Sequence, residues 1–361
     1  MKITPILTKI IFSLLFVGMN WAQSSMSQKP DSANTPSPQP ARTSPLARWL
    51  EVQTGTMAAR YKGAEPSGGE WINQLQYYFL ARGKFKLDPK GLYHVGFRVS
   101  TGRAFTFSWN STGIGAGDLV TNFYVKELFF SASPFNGLEI QVGGIGFNRG
   151  ESTEITSYSN NGYLMGERIL LHRPDRLFFD EISLTGAFLG DLAKPSVFER
   201  FHRISRMNYH QFLVLKKIHK NVSLSADYSF QDGVETLRQG VKITLPKNPL
   251  LDWFNFENYQ RVDVQPNWGC AFTLQKTPVP KITLAGGFAN VDQNYGTLNS
   301  DRLGKGKRLF LGATYNFYRD FSLGGGTTKA FGNDFPVPNA ARAELILMYD
   351  FQKALKRAKV F

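Results

Sequence analysis

This sequence of 361 residues contains one cysteine and five histidines, and none of them forms a metal-binding pattern. Cys270 is the single cysteine, so an intramolecular disulfide framework and a thiolate zinc site are both excluded. We therefore predict no metal ion, because none of the five histidines has the spacing of a metal site. These histidines are His94, His172, His202, His210 and His219.

Short catalytic motifs are also missing. The sequence has no H-E-x-x-H, G-x-S-x-G or G-x-x-x-x-G-K-[ST] segment, which would indicate a zinc protease, a serine hydrolase or a phosphate-binding loop. His94 and Ser100 would lie roughly 20 Å apart along an extended strand. We predict no catalytic residue and no cofactor. A hydrolytic site assembled from several strands is the alternative.

Long apolar runs do not occur beyond the N-terminus, so no transmembrane helix is predicted. Near the start of the chain, Lys2 and Lys9 precede the apolar segment Ile10 to Gly18. The first 24 residues therefore have the pattern of a secretory signal peptide, with cleavage after Ala22 or Ser24. Removing the two lysines lowers the formal charge from +14 to +12 (14 − 2). Export argues against nucleic acid as a partner despite this basicity.

Residues 25–45 are rich in Ser, Pro, Gln and Asn. Such a segment cannot bury enough apolar surface to fold, so a disordered linker is predicted. A solvated tail and a spacer that reaches peptidoglycan are its two interpretations. The folded part of the chain is predicted to span residues 46–361.

The alternation of apolar and polar residues is clearest from Asn221 to Leu245. Apolar residues occupy every second position on both sides of Asp232-Gly233, which is the pattern of a β-hairpin. Each arm has about ten residues, the span that a tilted strand needs to cross a bilayer. One face carries large apolar residues and the other carries small, polar or charged ones, as in a transmembrane barrel. A hairpin of a soluble sandwich is the alternative.

About sixteen segments with strand character follow from residue 46 onward, and the pattern allows roughly 14–18. An even number is typical of single-chain outer-membrane barrels. The predicted strands are Trp49–Tyr61, Trp71–Lys86, Leu92–Ser100, Phe123–Ser133, Leu138–Phe147, Tyr163–Arg173, Leu177–Leu189, Asn208–Lys217, Val222–Gln231, Thr236–Leu245, Asp252–Val262, Asn267–Lys276, Lys281–Asp292, Lys307–Tyr318, Phe321–Phe331 and Ala341–Phe351.

Connections between the predicted strands alternate in length. Tight turns such as Asp88–Gly91 and Arg319-Asp320 alternate with long polar connections. Outer-membrane barrels have short periplasmic turns and long extracellular loops, whereas a soluble sandwich has no reason to sort its connections in this way. The predicted fold is an all-β transmembrane antiparallel β-barrel. Its long connections are Gly102–Asn122, Asn148–Gly162, Gly190–Met207, Gln293–Gly306 and Gly332–Ala340.

The signal peptide, the strand number, the alternating loop lengths and the C-terminal Phe361 make this chain resemble the Gram-negative porins. The resemblance covers residues 46–361 as architecture and includes no diagnostic short motif. It implies the cell outer membrane, contact with its lipid, its lipopolysaccharide and the barrel-insertion machinery, and a homotrimer as a candidate assembly. Porin barrels usually end on an aromatic residue. Here either Phe351 ends the barrel and residues 352–361 form a periplasmic tail, or Phe361 is the recognised terminus.

Inward-facing residues follow from the strand parity, because lumen-facing and lipid-facing residues alternate. Basic residues outnumber acidic ones on this face, so we predict passive diffusion of small polar solutes with a preference for anions. Pairing of the inward charges with one another would remove that preference. The predicted pore-lining residues are Gln74, Gln76, Arg82, Lys84, Lys86, Arg98, Arg238, Lys242, Arg261 and Arg308. The predicted inward acids are Asp227, Glu257, Glu344 and Asp350.

In porins of this architecture the third long loop folds into the channel and narrows it. The corresponding segment here is Asn148–Gly162, and the resemblance implies that Arg149, Glu151 and Glu154 form the constriction. The two acids would face a basic wall that includes Arg82, Lys84 and Arg98. A loop that lies on the outer surface of the barrel is the alternative.

The predicted function is therefore a passive channel, and the protein is not expected to be an enzyme. A hydrolase carried on a barrel and a plugged barrel that serves as an anchor or assembly component are the alternatives. Segment Gly190–Met207 combines basic residues with Phe198 and Phe201. It is interpreted either as a solvated loop with a short helix, or as a surface that meets lipid phosphates or draws anions to the channel mouth.

Overall fold

The structure is a computed structural model, and the part of it described here begins at residue 45. It covers residues 45–65, 70–102, 109, 112–113, 123–152, 163–172, 177–190, 194–231, 233–263, 267–292, 305–331 and 341–360. The predicted signal peptide, the predicted linker up to residue 44, and Glu154 lie outside the described residues. Pro45, placed in the linker by the sequence, begins a 3-10 helix that ends at Arg48.

Sixteen antiparallel strands form one closed barrel, which confirms the predicted fold. Each strand pairs with its neighbours in chain order, and β16 closes the barrel against β1. The strands are β1 (Leu50–Glu65), β2 (Ile72–Lys86), β3 (Tyr93–Ser100), β4 (Tyr124–Phe135), β5 (Leu138–Ile145), β6 (Leu164–Leu171), β7 (Glu181–Phe188), β8 (Tyr209–His219), β9 (Val222–Gln231), β10 (Val234–Thr244), β11 (Trp253–Arg261), β12 (Trp268–Val279), β13 (Ile282–Val291), β14 (Gly306–Tyr318), β15 (Phe321–Phe331) and β16 (Ala341–Asp350).

Large apolar side chains cover the outer face of the barrel. Leu75, Leu311 and Leu345 are each about half exposed, at 50%, 53% and 51%. Polar residues that alternate with them are buried, for example Gln76 at 6% and Arg342 at 4%. The barrel is therefore apolar outside and polar inside, which is the arrangement of a membrane-spanning barrel. Within the described residues, no helix is long and apolar enough to cross a membrane.

The two ends of the barrel differ in their connections. At one end, called here the turn end, strands are joined by tight turns such as His219–Val222 and Tyr318–Phe321. At the other, called the loop end, β3 joins β4 and β5 joins β6 through much longer segments. The five predicted long connections all lie at the loop end, where the short hairpin turn between Gln231 of β9 and Val234 of β10 also lies.

A short helix, α1 (Phe351–Arg357), follows β16 at the turn end. Asp350 caps it by accepting a hydrogen bond from the Lys353 backbone N–H at 3.0 Å, and Arg357 pairs with Asp320 of the β14–β15 turn. The Phe351 ring packs outside the barrel on Phe79, with ring centroids 5.6 Å apart. The last strand thus ends one residue before the predicted Phe351, and the expected tail begins as a docked helix.

Candidate functional site

The strand register places all ten predicted pore-lining residues on the inner face of the barrel. Gln76 lies opposite Arg60 on β1, and Arg82 lies opposite Arg98 on β3. Residues directly opposite each other on paired strands point to the same face of the sheet, here the inner face. The same parity continues through Asp227 and Arg238 to the end of the chain. The four predicted inward acids share this face. Asp350 also lies at the turn end, where its carboxylate caps α1.

Residues 146–152, called here the inserted segment, leave β5 and cross the inside of the barrel. The Gln211 side chain donates to the Asn148 carbonyl at 2.8 Å, and the Asn148 side chain donates to Glu181 at 2.9 Å. Farther along, the Asn255 side chain donates to the Glu151 carbonyl at 2.8 Å. These partners lie on the inner faces of β7, β8 and β11. The alternative that this part of the loop lies on the outer surface is therefore wrong.

Two glycines allow the inserted segment to lie directly on strands β9 and β10. Gly150 has a φ of +55°, and a Cβ there would lie 2.6 Å from the Cβ of Ser225. A Cβ on Gly240 would lie 3.2 Å from the Glu151 backbone. The contact at Gly150 is too short for a side chain and its φ is left-handed, so glycine is required there, whereas a Cβ at Gly240 would need the segment to shift by a few tenths of an ångström. Strands β8–β11, which hold the segment, are called here the anchoring wall.

A buried ion pair supports the anchoring wall beneath the segment. The Arg238 Nε donates to the Asp227 Oδ2 at 2.9 Å, and Gln211 donates to the same oxygen at 3.0 Å. Arg238 also approaches the Asn148 carbonyl at 3.4 Å. Asp227 and Arg238 are 4% and 7% exposed, so their charges are satisfied by each other and withdrawn from the lumen.

The predicted position of Glu151 is wrong. We expected its carboxylate to face Arg82, Lys84 and Arg98, but it accepts a hydrogen bond from the Ser223 hydroxyl at 2.6 Å on the anchoring wall. The Glu151 backbone N–H donates to the Ser225 hydroxyl, and its carbonyl accepts from the Asn255 side chain, so both backbone groups are held on that wall and the side chain is directed there. Arg149 is close by and lines a small cavity with Phe147, Asp227 and Arg238.

Glu127 of β4 takes the place that the sequence assigned to the loop acids. Its carboxylate lies 3.6 Å from Arg82 and 3.4 Å from Arg98. Glu127 is almost fully buried, whereas the Arg82 side chain is 42% exposed. The guanidinium of Arg82 therefore remains accessible to a solute beside a bound carboxylate.

A basic wall faces the lumen on β1–β3, β14 and β16. Among the described residues, Glu51 lies 3.3 Å from Lys84 and 3.4 Å from Lys86, and Glu344 lies 3.4 Å from Arg60. In the same described part of the chain, eight inward-facing cations on these strands accompany four inward-facing carboxylates: Glu51, Glu127 of the adjoining β4, Glu344 and Asp350. The eight are Arg60, Lys62, Arg82, Lys84, Lys86, Arg98, Arg308 and Arg342.

Trp109, in the connection between β3 and β4, also reaches the inner face. Its ring stacks on Tyr78 with centroids 5.0 Å apart, and the Arg60 guanidinium lies 4.3 Å from its centroid. Its carbonyl accepts a hydrogen bond from Gln76 at 3.0 Å. The sequence prediction missed this residue. A lone tryptophan in a long polar connection was the available signal.

A cavity of about 230 Å³ is lined by the start of the inserted segment, by the inner faces of β4–β7 and by Arg82 of β2. Its lining mixes cationic, anionic and apolar side chains, so a small polar solute would meet both signs of charge there. The lining includes Arg82, Glu127, Phe129, Gln141, Phe147, Asn148, Arg168, Leu170 and Glu181. In the described part of the chain, no group of three or more His, Cys, Asp or Glu residues could hold a metal ion.

Comparison with known proteins identifies this fold. A mutant form of the porin of Rh. blastica superposes with a TM-score of 0.55 and 12% sequence identity. That match covers 84% of this chain and 100% of the porin. OmpF of Salmonella typhi, in complex with daunomycin, gives a TM-score of 0.57 at 13% identity, covering 84% of this chain and 97% of OmpF.

Sequence comparisons add no closer relative. No family model matches the chain, and no curated protein matches it. The structural likeness therefore concerns the fold, and the expectation of a porin-like barrel is confirmed at that level.

Proposed function

We propose that this protein is a passive outer-membrane channel for small polar solutes and that it favours anions. The observation that carries the proposal is the unequal charge of the two inner walls. On the anchoring wall, Arg238 is buried against Asp227. On the basic wall, inward-facing cations outnumber inward-facing acids among the described residues, and the Arg82 side chain is 42% exposed. A tube with an excess of one charge focuses its field on ions that pass through it.

The outer surface supports the membrane location. Met57, Leu284 and Leu347 point away from the polar interior, and they are 49%, 44% and 44% exposed. Exposing such side chains to water over most of a barrel would be unfavourable, while a lipid surround removes that cost. The long connections at the loop end would then face the cell exterior, and α1 would face the periplasm. A homotrimer stays a prediction.

A plugged barrel is the second candidate, because both the inserted segment and Trp109 enter the lumen. The proposed channel is tested by recording single-channel conductance of the mature chain in a planar bilayer under a KCl gradient. Ohmic steps with an anion-selective reversal potential are expected. Absence of steps from a correctly folded, heat-modifiable barrel would favour the plugged barrel, and a cation-selective potential would overturn the anion preference.

A hydrolase on the barrel has no supporting geometry among the described residues, but its test is simple. Replacing His94 by Gln should leave the anion preference unchanged, because His94 lies opposite Lys86 on the inner face but adds nothing to the formal charge at pH 7. Hydrolysis of a lipid or peptide substrate that is lost in this variant would establish catalysis instead.

A further inference from the structure

Residues 194–207, called here the exterior segment, lie on the outside of the barrel at the loop end. Val197 packs on Gly144, whose missing side chain leaves room for it on the outer face of β5. The sulfur of Met207 would lie 3.1 Å from a Cβ on Gly186, on the outer face of β7. Tyr163 secures the segment by donating its hydroxyl hydrogen to the Ser196 carbonyl at 2.8 Å.

The exterior segment sits at the edge of the apolar outer band. Below it, toward the turn end, Ile169 and Leu184 are 43% and 50% exposed on the outer face. One step nearer the loop end, Glu167 and His210 occupy the same face as exposed polar residues, on either side of Gly186. Ionisable side chains are tolerated on a lipid-facing surface near the interface and not at its centre. This level therefore corresponds to the boundary between acyl chains and headgroups.

The free surface of the exterior segment combines apolar and basic side chains. Phe198, Ile204 and Met207 are 59%, 37% and 45% exposed. Lys194, His202, Arg203 and Arg206 accompany them, with the Arg203 guanidinium 5.8 Å from the Phe188 ring centroid. The single acid of the segment, Glu199, accepts a hydrogen bond from the Ser196 backbone N–H at 3.3 Å, within a capping box.

Apolar anchors beside lysine and arginine are typical of segments that lie in a membrane interface. The apolar side chains enter the acyl region, and the cations reach the phosphates of anionic headgroups. The core of a protein–protein interface is, by contrast, depleted in charged residues. Charge and position both favour a lipid headgroup as the occupant.

We propose that the exterior segment docks a phosphorylated glycolipid of the lipopolysaccharide class. Lys194 and Arg206 contact its phosphates, and Phe198 packs against its acyl chains. This proposal rests on the proposed outer-membrane location, because the loop end then faces the leaflet that contains such lipids. It does not depend on whether the barrel conducts ions.

The test uses the full mature chain refolded in detergent and titrated with purified lipid A that carries both phosphates. Binding is read by native mass spectrometry. Lys194→Gln combined with Arg206→Gln should weaken binding by about thirtyfold, since each of the two basic residues near an anionic lipid surface contributes on the order of 1 kcal/mol. The control, Lys356→Gln combined with Lys359→Gln, removes the same charge at the turn end and should bind as the parent does.

Two further lipid titrations test which phosphate-bearing lipid the segment recognises. Dephosphorylated lipid A should bind at least about tenfold more weakly, and phosphatidylglycerol should compete poorly because it lacks the second phosphate. Equal binding by the parent and the Lys194/Arg206 variant would overturn the proposal. A second outcome would also overturn it: a mass of two or three chains that the parent shows with and without lipid and that this variant does not show. The surface would then contact a second copy of the chain.

Conductance measured on the same preparations keeps this proposal distinct from the channel. Lipid A binding that persists in a barrel without conductance would refute only the channel. Conductance with no lipid A binding would refute only the docking surface. Phe198→Ser offers a variant without charge change, and it should weaken binding while the heat-modifiable mobility of the barrel stays unchanged.

Discussion

The two inner walls of the barrel use the same residue types for different purposes. On the anchoring wall, Asp227 and Arg238 form a buried pair, and Ser225 and Asn255 bind the inserted segment. On the basic wall, Lys84 and Lys86 share the partly exposed Glu51. The anchoring wall therefore stabilises a piece of backbone, whereas the basic wall presents charge to whatever enters the lumen.

This difference shows why inward charge alone does not define selectivity. A cation contributes to the field on a passing ion only if its own counter-charge is incomplete. Arg238 fails this condition because Asp227 neutralises it within a buried contact. Arg82 meets it, since the single carboxylate of Glu127 lies between Arg82 and Arg98.

Breaking the buried pair should have the largest effect. Asp227→Asn leaves Arg238 buried without a carboxylate, and the loss of one partner of a buried pair costs about 3 kcal/mol or more. We expect a lower midpoint of urea unfolding, followed by tryptophan fluorescence of the refolded barrel. The control is Glu51→Gln, which disrupts a partly exposed pair and should cost less than about 1 kcal/mol. Equal losses for the two variants would contradict the contrast between the walls.

Gly150→Ala should have the next largest effect, because it pushes the inserted segment off Ser225. The left-handed backbone and the collision together should cost roughly 2 kcal/mol. Single-channel recordings should show larger and noisier conductance as the segment detaches. Gly233→Ala is the matched control, since Gly233 also has a positive φ, of +86°, but a Cβ there would meet nothing within 4 Å. The comparison fails if both variants change conductance alike.

Glu127→Gln should make the charge of the basic wall more positive, because it removes the carboxylate that Arg82 and Arg98 share. The ratio of anion to cation permeability should rise by about twofold to fivefold, because the local field becomes more positive. Reversal potentials under a KCl gradient measure this ratio. Asp88→Asn removes the same charge from a turn and should leave the ratio unchanged. A shift toward cations would refute the role of this wall.

The smallest effect is a pH dependence at the turn end. The hydrogen bond from Arg357 holds the pKa of Asp320 below its usual value. A carboxyl whose folded pKa is lowered stabilises the fold above its unfolded pKa, near 4, and loses that contribution as the pH falls through the folded pKa. Urea unfolding between about pH 5 and 2 should thus show a steeper loss of stability in the parent than in Arg357→Gln. Parallel pH profiles would remove this pair from the account.

Most of the barrel could be predicted from the sequence because its two faces meet different solvents. Val222–Gln231 and Phe321–Phe331 have the same bounds in the prediction and in the structure. The facing of β8 could not be predicted, since Leu213 points inward and is fully buried while the outward His210 is exposed. The inserted segment explains this exception: Leu213 lies 3.4 Å from where a Gly150 Cβ would be, so the lumen is not aqueous there.

The candidate site was predictable in its residues but not in its partners. Parity places Arg82 and Arg98 inside, but it cannot tell which acid meets them. That depends on the register between neighbouring strands, which shifts between β3 and β4 at Arg98 and Val99, and Glu127 was missed for this reason. Glu151 was assigned to the wrong wall because contacts with Ser223 and Asn255, which the sequence does not show, set the path of the inserted segment. The exterior segment was interpreted as a loop or a charged surface. Its position outside β5 and β7 depends on Gly144 and Gly186, which leave space only once the strands are paired.

The most direct test of the central claim is the reversal potential of the parent channel compared with that of Arg82→Gln combined with Lys84→Gln, under the same KCl gradient. The account predicts ohmic steps and anion selectivity in the parent, and a loss of that selectivity in the double variant with conductance retained. Cation selectivity in the parent, or an unchanged reversal potential in the double variant, would contradict it.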